Sequence, residues 1–121
     1  MKNLNKLYWI KQEIAQIENQ IKELTVLSAS AASGMPERNS ISSPVERFFE
    51  RLESLKEKLR IKLDEYIAEK ERIEECIEKI DDAEIRVIAR KRFIENKDYR
   101  TIGEELYSER TTVYKKLKRG L

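Results

Sequence analysis

Leu7, Ile10, Ile14, Ile17, Ile21 and Leu24 follow one another in steps of 3, 4, 3, 4 and 3, the spacing of a heptad seam. A chain that keeps this spacing winds into an amphipathic helix whose apolar edge must be laid against another helix. The segment 3–25 is accordingly predicted to be helical, about 33 Å long at ~1.5 Å per residue. Tyr8 and Trp9 lie beside the seam and are expected to widen the packed face.

A second helical period starts at Pro44 and runs through Val45, Phe48, Leu52, Leu55, Leu59, Leu63, Tyr66, Ile73, Ile77 and Ile80, with Lys70 interrupting the stripe. It spans on the order of 55 Å. The steps of 4 on either side of Leu59 read as a slip of the heptad that would locally unwind a supercoil. Ser43, Pro44 and Glu46 supply the N-cap, first-turn proline and capping-box acid of this helix. Between the two periods, residues 27–43 are rich in Ser and Ala, lack periodicity and are expected to be a flexible linker.

The rest of the composition narrows the choice further. Only 3 Gly and 2 Pro occur in 121 residues, too little turn chemistry for a sandwich, a barrel or an alternating α/β sheet. With no His and a single Cys, the chain lacks the usual general base and most metal-ligand sets, and no intrachain disulfide can form. No catalytic residue, metal site or cofactor is therefore read from it, and an enzyme is not expected. Cys76 falls beside the packed stripe as a structural thiol. No apolar run approaches the ~20 residues that span a bilayer, and the first residues lack the apolar core of a signal peptide. The expectation is a cytoplasmic protein without a membrane partner.

A further boundary sits near residue 81. Ile80, Asp81, Glu84 and Ile85 fit a hydrophobic staple and capping box, so a helix should begin there, run to about Glu95 and bury Ile85, Ile88, Ala89 and Phe93. Asn96 and Lys97 make a turn, Asp98 caps a short helix over 99–106 that buries Ile102 and Leu106, and Ser108 caps a last helix that buries Val113 and Leu117. Gly103 lies inside the short helix, where glycine costs ~1 kcal/mol relative to alanine, so a close backbone approach is expected there. Two short helices joined by a tight turn constitute a helix-turn-helix.

Charge singles out the same segment. Residues 81–121 hold 11 Lys or Arg against 8 Asp or Glu, and from Arg110 onward Lys115, Lys116, Lys118 and Arg119 follow with no acid. Such a helix can neutralise several phosphates, while Arg110, Thr111, Thr112 and Tyr114 stand at the end that would enter a major groove. Arg100, on the preceding short helix, completes the set of candidate DNA contacts.

In residues 82–121 the order Arg-Lys-Arg-Phe, turn, Tyr-Arg-Thr-Ile-Gly-Glu-Glu-Leu, then Arg-Thr-Thr-Val-Tyr-Lys-Lys-Leu-Lys-Arg resembles the helix-turn-helix of sigma-70 region 4. The fuller layout resembles small phage or prophage transcriptional regulators of the RinA and ArpU kind. The resemblance implies a DNA-binding transcription regulator in which Arg110, Thr111, Thr112, Tyr114 and Lys115 match recognition-helix positions. Tyr107 and Ser108 depart from it, standing where such turns usually have Gly and an aliphatic residue. The sequence thus predicts an all-α protein. A long helical hairpin or coiled coil over 1–80 forms a homodimer, and a helix-turn-helix over 81–121 binds duplex DNA. Two other readings compete: a phage DNA-packaging subunit of the small-terminase type, and a coiled-coil adaptor whose C-terminal helices bind a protein such as RNA polymerase.

Overall fold

The structure, a computed structural model, describes residues 5–32 and 44–121, the side chains of 28–32 excepted. The fold is all-α: α1 (Lys6–Ala32) and α2 (Pro44–Glu78) form the long helical hairpin, followed by α3 (Ala83–Ala89), a π-helical turn (Arg90–Ile94), α4 (Tyr99–Glu105) and α5 (Arg110–Gly120). α1 runs on to Ala32, several residues into the segment read as linker. The remainder of that segment and the capping residue Ser43 lie outside the described residues, while α2 begins at Pro44 as its proline signal requires. No helix among the described residues is long and apolar enough to cross a membrane.

The chain divides into two compact units, one made of residues up to Ile10 together with Tyr66–Leu121, the other of Lys11–Glu65. The division falls within α1 and α2 and not at residue 80. The reason is one buried cluster, which takes Leu7 from α1 and Ile73 and Ile77 from α2 together with Ile88, Ala89, Ile102, Val113 and Leu117. Residue 80 is a boundary between helices; Ile80 itself packs against that cluster.

In the Lys11–Glu65 unit, Leu55 is buried, whereas Ile14, Ile17, Ile21, Leu24, Phe48, Leu52 and Leu59 are only half-buried. The seam of α2 follows a different path from the one its apolar residues trace. The inward positions are 48, 52, 55, 59, 62, 66, 69 and 73, an unbroken alternation of steps of 4 and 3, and Leu63 is 41% exposed. There is no slip. Two charged residues hold seam positions: Lys62, whose Nζ lies 3.0 Å from Glu13 of α1, and Glu69, 5% exposed and 2.6 Å from Arg72. The Arg72 hydrogen bond holds the Glu69 carboxyl below the ordinary carboxylate range. The Lys62–Glu13 pair joins the two helices and so favours the register that supplies it, whereas Glu69 is compensated from its own helix. Trp9, expected to extend the packed face, is 62% exposed and meets Tyr8 edge-on at 5.0 Å.

The C-terminal helices are set by their ends. The cap of α3 is Asp82, one residue after the expected Asp81, and its carboxylate accepts from the Glu84 backbone N–H at 2.8 Å. Asp81 is occupied otherwise, since its carbonyl and that of Ile80 both accept from the Arg86 guanidinium. After Ala89 the helix widens into a π turn, closed by Glu95 N–H to Arg90 O at 3.0 Å, and Asn96 ends it at φ 59°. Asp98 caps α4 as expected, accepting from Thr101 N–H at 2.8 Å.

α4 stops in a Schellman arrangement: Tyr107 takes the left-handed conformation at φ 54°, and Ser108 donates its N–H back to Gly103 O at 2.8 Å. Ser108 is thereby used to close α4, and Glu109 becomes the N-cap of α5. A Cβ at residue 103 would lie 2.5 Å from the Ser108 carbonyl oxygen and 3.3 Å from Arg110 N. The backbone approaching Gly103 is therefore the turn leading into α5. Gly103→Ala should lower stability by ~1–3 kcal/mol, since the clash is with backbone. Tyr107→Gly should raise it by about 1 kcal/mol, by relieving the left-handed strain of a residue that is 97% exposed and touches little. Urea titrations of both variants, read by circular dichroism, check the pair of opposite signs.

Candidate nucleic-acid interface

α5 buries Val113 and Leu117 and packs its C-terminal end on α3, where a Cβ at Gly120 would lie 2.6 Å from the Ile85 side chain. With that face inward, helical phase turns Thr111, Thr112, Tyr114, Lys115, Lys118 and Arg119 outward, and all are exposed, as is Arg110 in the first turn. Arg100 is exposed on α4, across the turn from Arg110. Lys116 is half-buried, its ammonium held by the Glu84 carboxylate of α3 at 3.1 Å.

The 11 cations of residues 81–121 fall into two groups. Six are anchors within the fold. Arg86 closes the α2–α3 connection; Arg90 reaches Glu74 and Glu78 on α2 at 3.2 and 2.6 Å; Lys91 reaches Glu105 on α4 at 2.7 Å. Arg92 donates to the Lys97 carbonyl at 3.1 Å and stacks 4.6 Å over Tyr99; Lys97 pairs with Glu105 at 2.6 Å and Glu95 at 3.1 Å; Lys116 pairs with Glu84. The other five, Arg100, Arg110, Lys115, Lys118 and Arg119, make no ion pair among the described residues. All five belong to the set read from the sequence. Lys118 lies 5.7 Å over the Tyr114 ring, which in turn meets Tyr99 edge-on at 5.3 Å.

The sequence reading missed the scaffold roles of Arg90, Lys91 and Arg92, whose run of basic residues looks like surface charge. The i,i+4 acids Glu74 and Glu78 were a signal for Arg90, but which helix would lie opposite them is not a local property. Among the described residues no three His, Cys, Asp or Glu side chains converge so as to hold a metal ion, and Cys76 is a free, half-buried thiol.

The electrostatics of the turn follow from its hydrogen bonds. The Asp98 carboxyl lies below the ordinary aspartate value because the Thr101 backbone N–H and hydroxyl donate to it, and Glu105 is lowered by hydrogen bonds from Lys91 and then Lys97. Lys97 is raised by hydrogen bonds to Glu105 and Glu95. Groups with depressed values stabilise the fold above the ordinary carboxylate range of ~4 and lose that contribution as pH falls through their folded values. The raised lysine loses its contribution only as pH rises past the ordinary lysine range of ~10.

Compared with known protein families, with curated proteins and with solved structures, the chain matches none. The helix-turn-helix geometry and its charges are therefore the basis on which a function is read.

The urea midpoint should be flat through neutral pH and fall below about pH 4. Asp98→Asn, which keeps a capping oxygen, and Glu105→Gln should each flatten the acid limb. Denaturation at pH 3 and pH 6 measures this, and an unchanged acid limb in both variants would remove these carboxylates as its source.

Proposed function

We propose that this chain is a sequence-specific duplex-DNA-binding protein acting as a transcriptional regulator, of the small phage or prophage kind that residues 82–121 resemble, in the cytoplasm of its cell. One observation carries the reading: among residues 81–121, the cations not used to hold the fold together are Arg100, Arg110, Lys115, Lys118 and Arg119, all exposed on α4 and α5 of a helix-turn-helix. Unpaired cations on an exposed helix face are poor contributors to stability, since nothing offsets their mutual repulsion. Phosphates offset it. In this reading α5 lies in the major groove with Arg110, Thr111, Thr112 and Tyr114 toward base edges, and Lys115, Lys118 and Arg119 toward the backbone. Lys116 contributes by fixing α5 to α3 through Glu84.

Arg110→Ala should weaken binding to the preferred site by ~1–3 kcal/mol and relax discrimination at one base pair. Lys115→Ala or Arg119→Ala should weaken binding to all duplexes alike and reduce the slope of log K against log salt by about one unit. Titrations at two salt concentrations by fluorescence anisotropy read both. If all three variants bind as the parent does, the free cations serve a protein partner, and the adaptor reading replaces this one.

The half-exposed seam of the Lys11–Glu65 unit supports a homodimer. Seven of its apolar seam residues are incompletely covered, and Val45 and Leu63 are exposed on the flank of the α2 seam. Two such hairpins packed face to face would bury both sets in a four-helix arrangement, the symmetric solution open to a single sequence. Sedimentation equilibrium should give twice the chain mass of 14.4 kDa at micromolar concentration. A clean 14.4 kDa species would exclude the dimer.

A further inference from the structure

Between α4 and α5 the turn forms a cleft of about 390 Å³ lined by Arg100, Glu104, Ser108, Glu109, Arg110 and Thr111. Its four charged residues, two of each sign, make no ion pair with one another or with any described residue. Elsewhere around these helices opposite charges within reach close on each other, as Lys91 and Lys97 do on Glu105 and Lys116 on Glu84. Of the 8 acids in residues 81–121, only Asp81, Glu104 and Glu109 leave their carboxylates unused, and two of these three face this cleft. Glu109 is the N-cap of α5, where its best local use would be to accept from the backbone N–H groups of the first turn. Its side chain makes no such bond.

A cleft of mixed sign is a poor phosphate site, because each carboxylate repels the backbone. It matches a base edge instead. In the major groove, guanine offers two acceptors, N7 and O6, to a guanidinium, and its paired cytosine offers the N4 amino group to a carboxylate. Thymine would place a methyl group against the carboxylate, which gives it no hydrogen bond. We propose that Glu109 and Arg110 read a G·C base pair together, Glu109 accepting from cytosine N4 and Arg110 donating to guanine N7 and O6. Glu104, on the other wall, disfavours a phosphate in the same space. This rests on the duplex-DNA reading above and adds to it the identity of one base pair and the residue that selects its pyrimidine.

The test is selection of binding sites from a randomised duplex pool by the parent, Glu109→Gln, Glu109→Asp and Arg110→Ala. Each selected duplex is then titrated beside versions in which single G·C pairs are replaced by A·T. The parent should select sites with an invariant G·C pair and lose about tenfold or more in affinity when it is replaced. Glu109→Gln should reduce that loss to threefold or less, and Arg110→Ala should lose discrimination at the same pair. Glu109→Asp, which keeps the charge and a good N-cap, should retain part of the discrimination. Because the Glu109 side chain has no partner in the fold, the thermal midpoint should be unchanged in Glu109→Gln and equal or higher in Glu109→Asp, which can cap α5. A parent that selects defined sites while both Glu109 variants select the same ones with equal discrimination overturns the proposal. So does a parent that binds every duplex equally, which leaves duplex binding standing but removes its sequence specificity. A parent that binds no duplex removes the DNA-binding reading and this one with it.

Discussion

α4 and α5 can meet as they do only because residue 103 carries no side chain. The Ser108 carbonyl occupies the space that a Cβ would need, 2.5 Å away, and the same turn returns the Ser108 N–H to the Gly103 carbonyl. The turn is closed at both ends by backbone, so the direction of α5 is set without any side chain from its exposed face. Val113 and Leu117 then fall onto Ile88 and Ala89 of α3 and Ile102 of α4, in a cluster that also takes Leu7, Ile73 and Ile77. From these contacts follows which side of α5 faces outward. The strain is concentrated in Tyr107, a non-glycine residue held at φ 54° with its side chain in solvent.

Around this core the charges do two kinds of work. Arg90, Lys91, Arg92, Lys97 and Lys116 tie neighbouring helices and turns together, each to a carboxylate, a carbonyl or an aromatic face. Individually such partly exposed pairs contribute ~0–1 kcal/mol, so their effect is more on geometry than on stability. Glu105 is the clearest case, since it holds Lys91 before the turn and Lys97 after it and so fixes α4 against the π-helical segment. The cations left over are gathered on one side by default, because the acids that could have paired with them are engaged elsewhere or, like Glu104 and Glu109, stand apart in the cleft.

The hairpin shows how a few polar positions constrain a long apolar stripe. Lys62 and Glu69 occupy seam positions where apolar residues would pack better, and each has a partner, Glu13 for one and Arg72 for the other. A shifted register would separate Lys62 from Glu13 and leave its ammonium only the longer pair with Glu65 on its own helix, at 3.5 Å. Leu63, which apolar spacing assigns to the stripe, stands outside it together with Val45 and Phe49.

Much was legible in the sequence because helical periodicity and capping are local. The two long helices, the start of α2 at Pro44, the Asp98 cap, the inward Val113 and Leu117 and the need for Gly103 all follow from residues within a few positions of one another. The exposed set Arg100, Arg110, Lys115, Lys118 and Arg119 was legible for the same reason. Other features were decided by contacts distant in sequence. The Arg90 pairs with Glu74 and Glu78, the Lys91–Glu105 pair and the Lys116–Glu84 pair join residues 12 to 32 positions apart, so the division of cations into anchors and free charges exists only in the folded chain. Lys62 at the seam depends likewise on Glu13, 49 positions away, whereas Glu69 meets Arg72 three positions on along its own helix; apolar spacing alone passes over both residues. The caps fall at Asp82 and not Asp81, whose carbonyl accepts from Arg86, and at Glu109 and not Ser108, because the first α-helical bond of α5 runs from Val113 N–H to Glu109 O. A local pattern specifies what a residue can do, and tertiary packing decides which of its groups are already occupied.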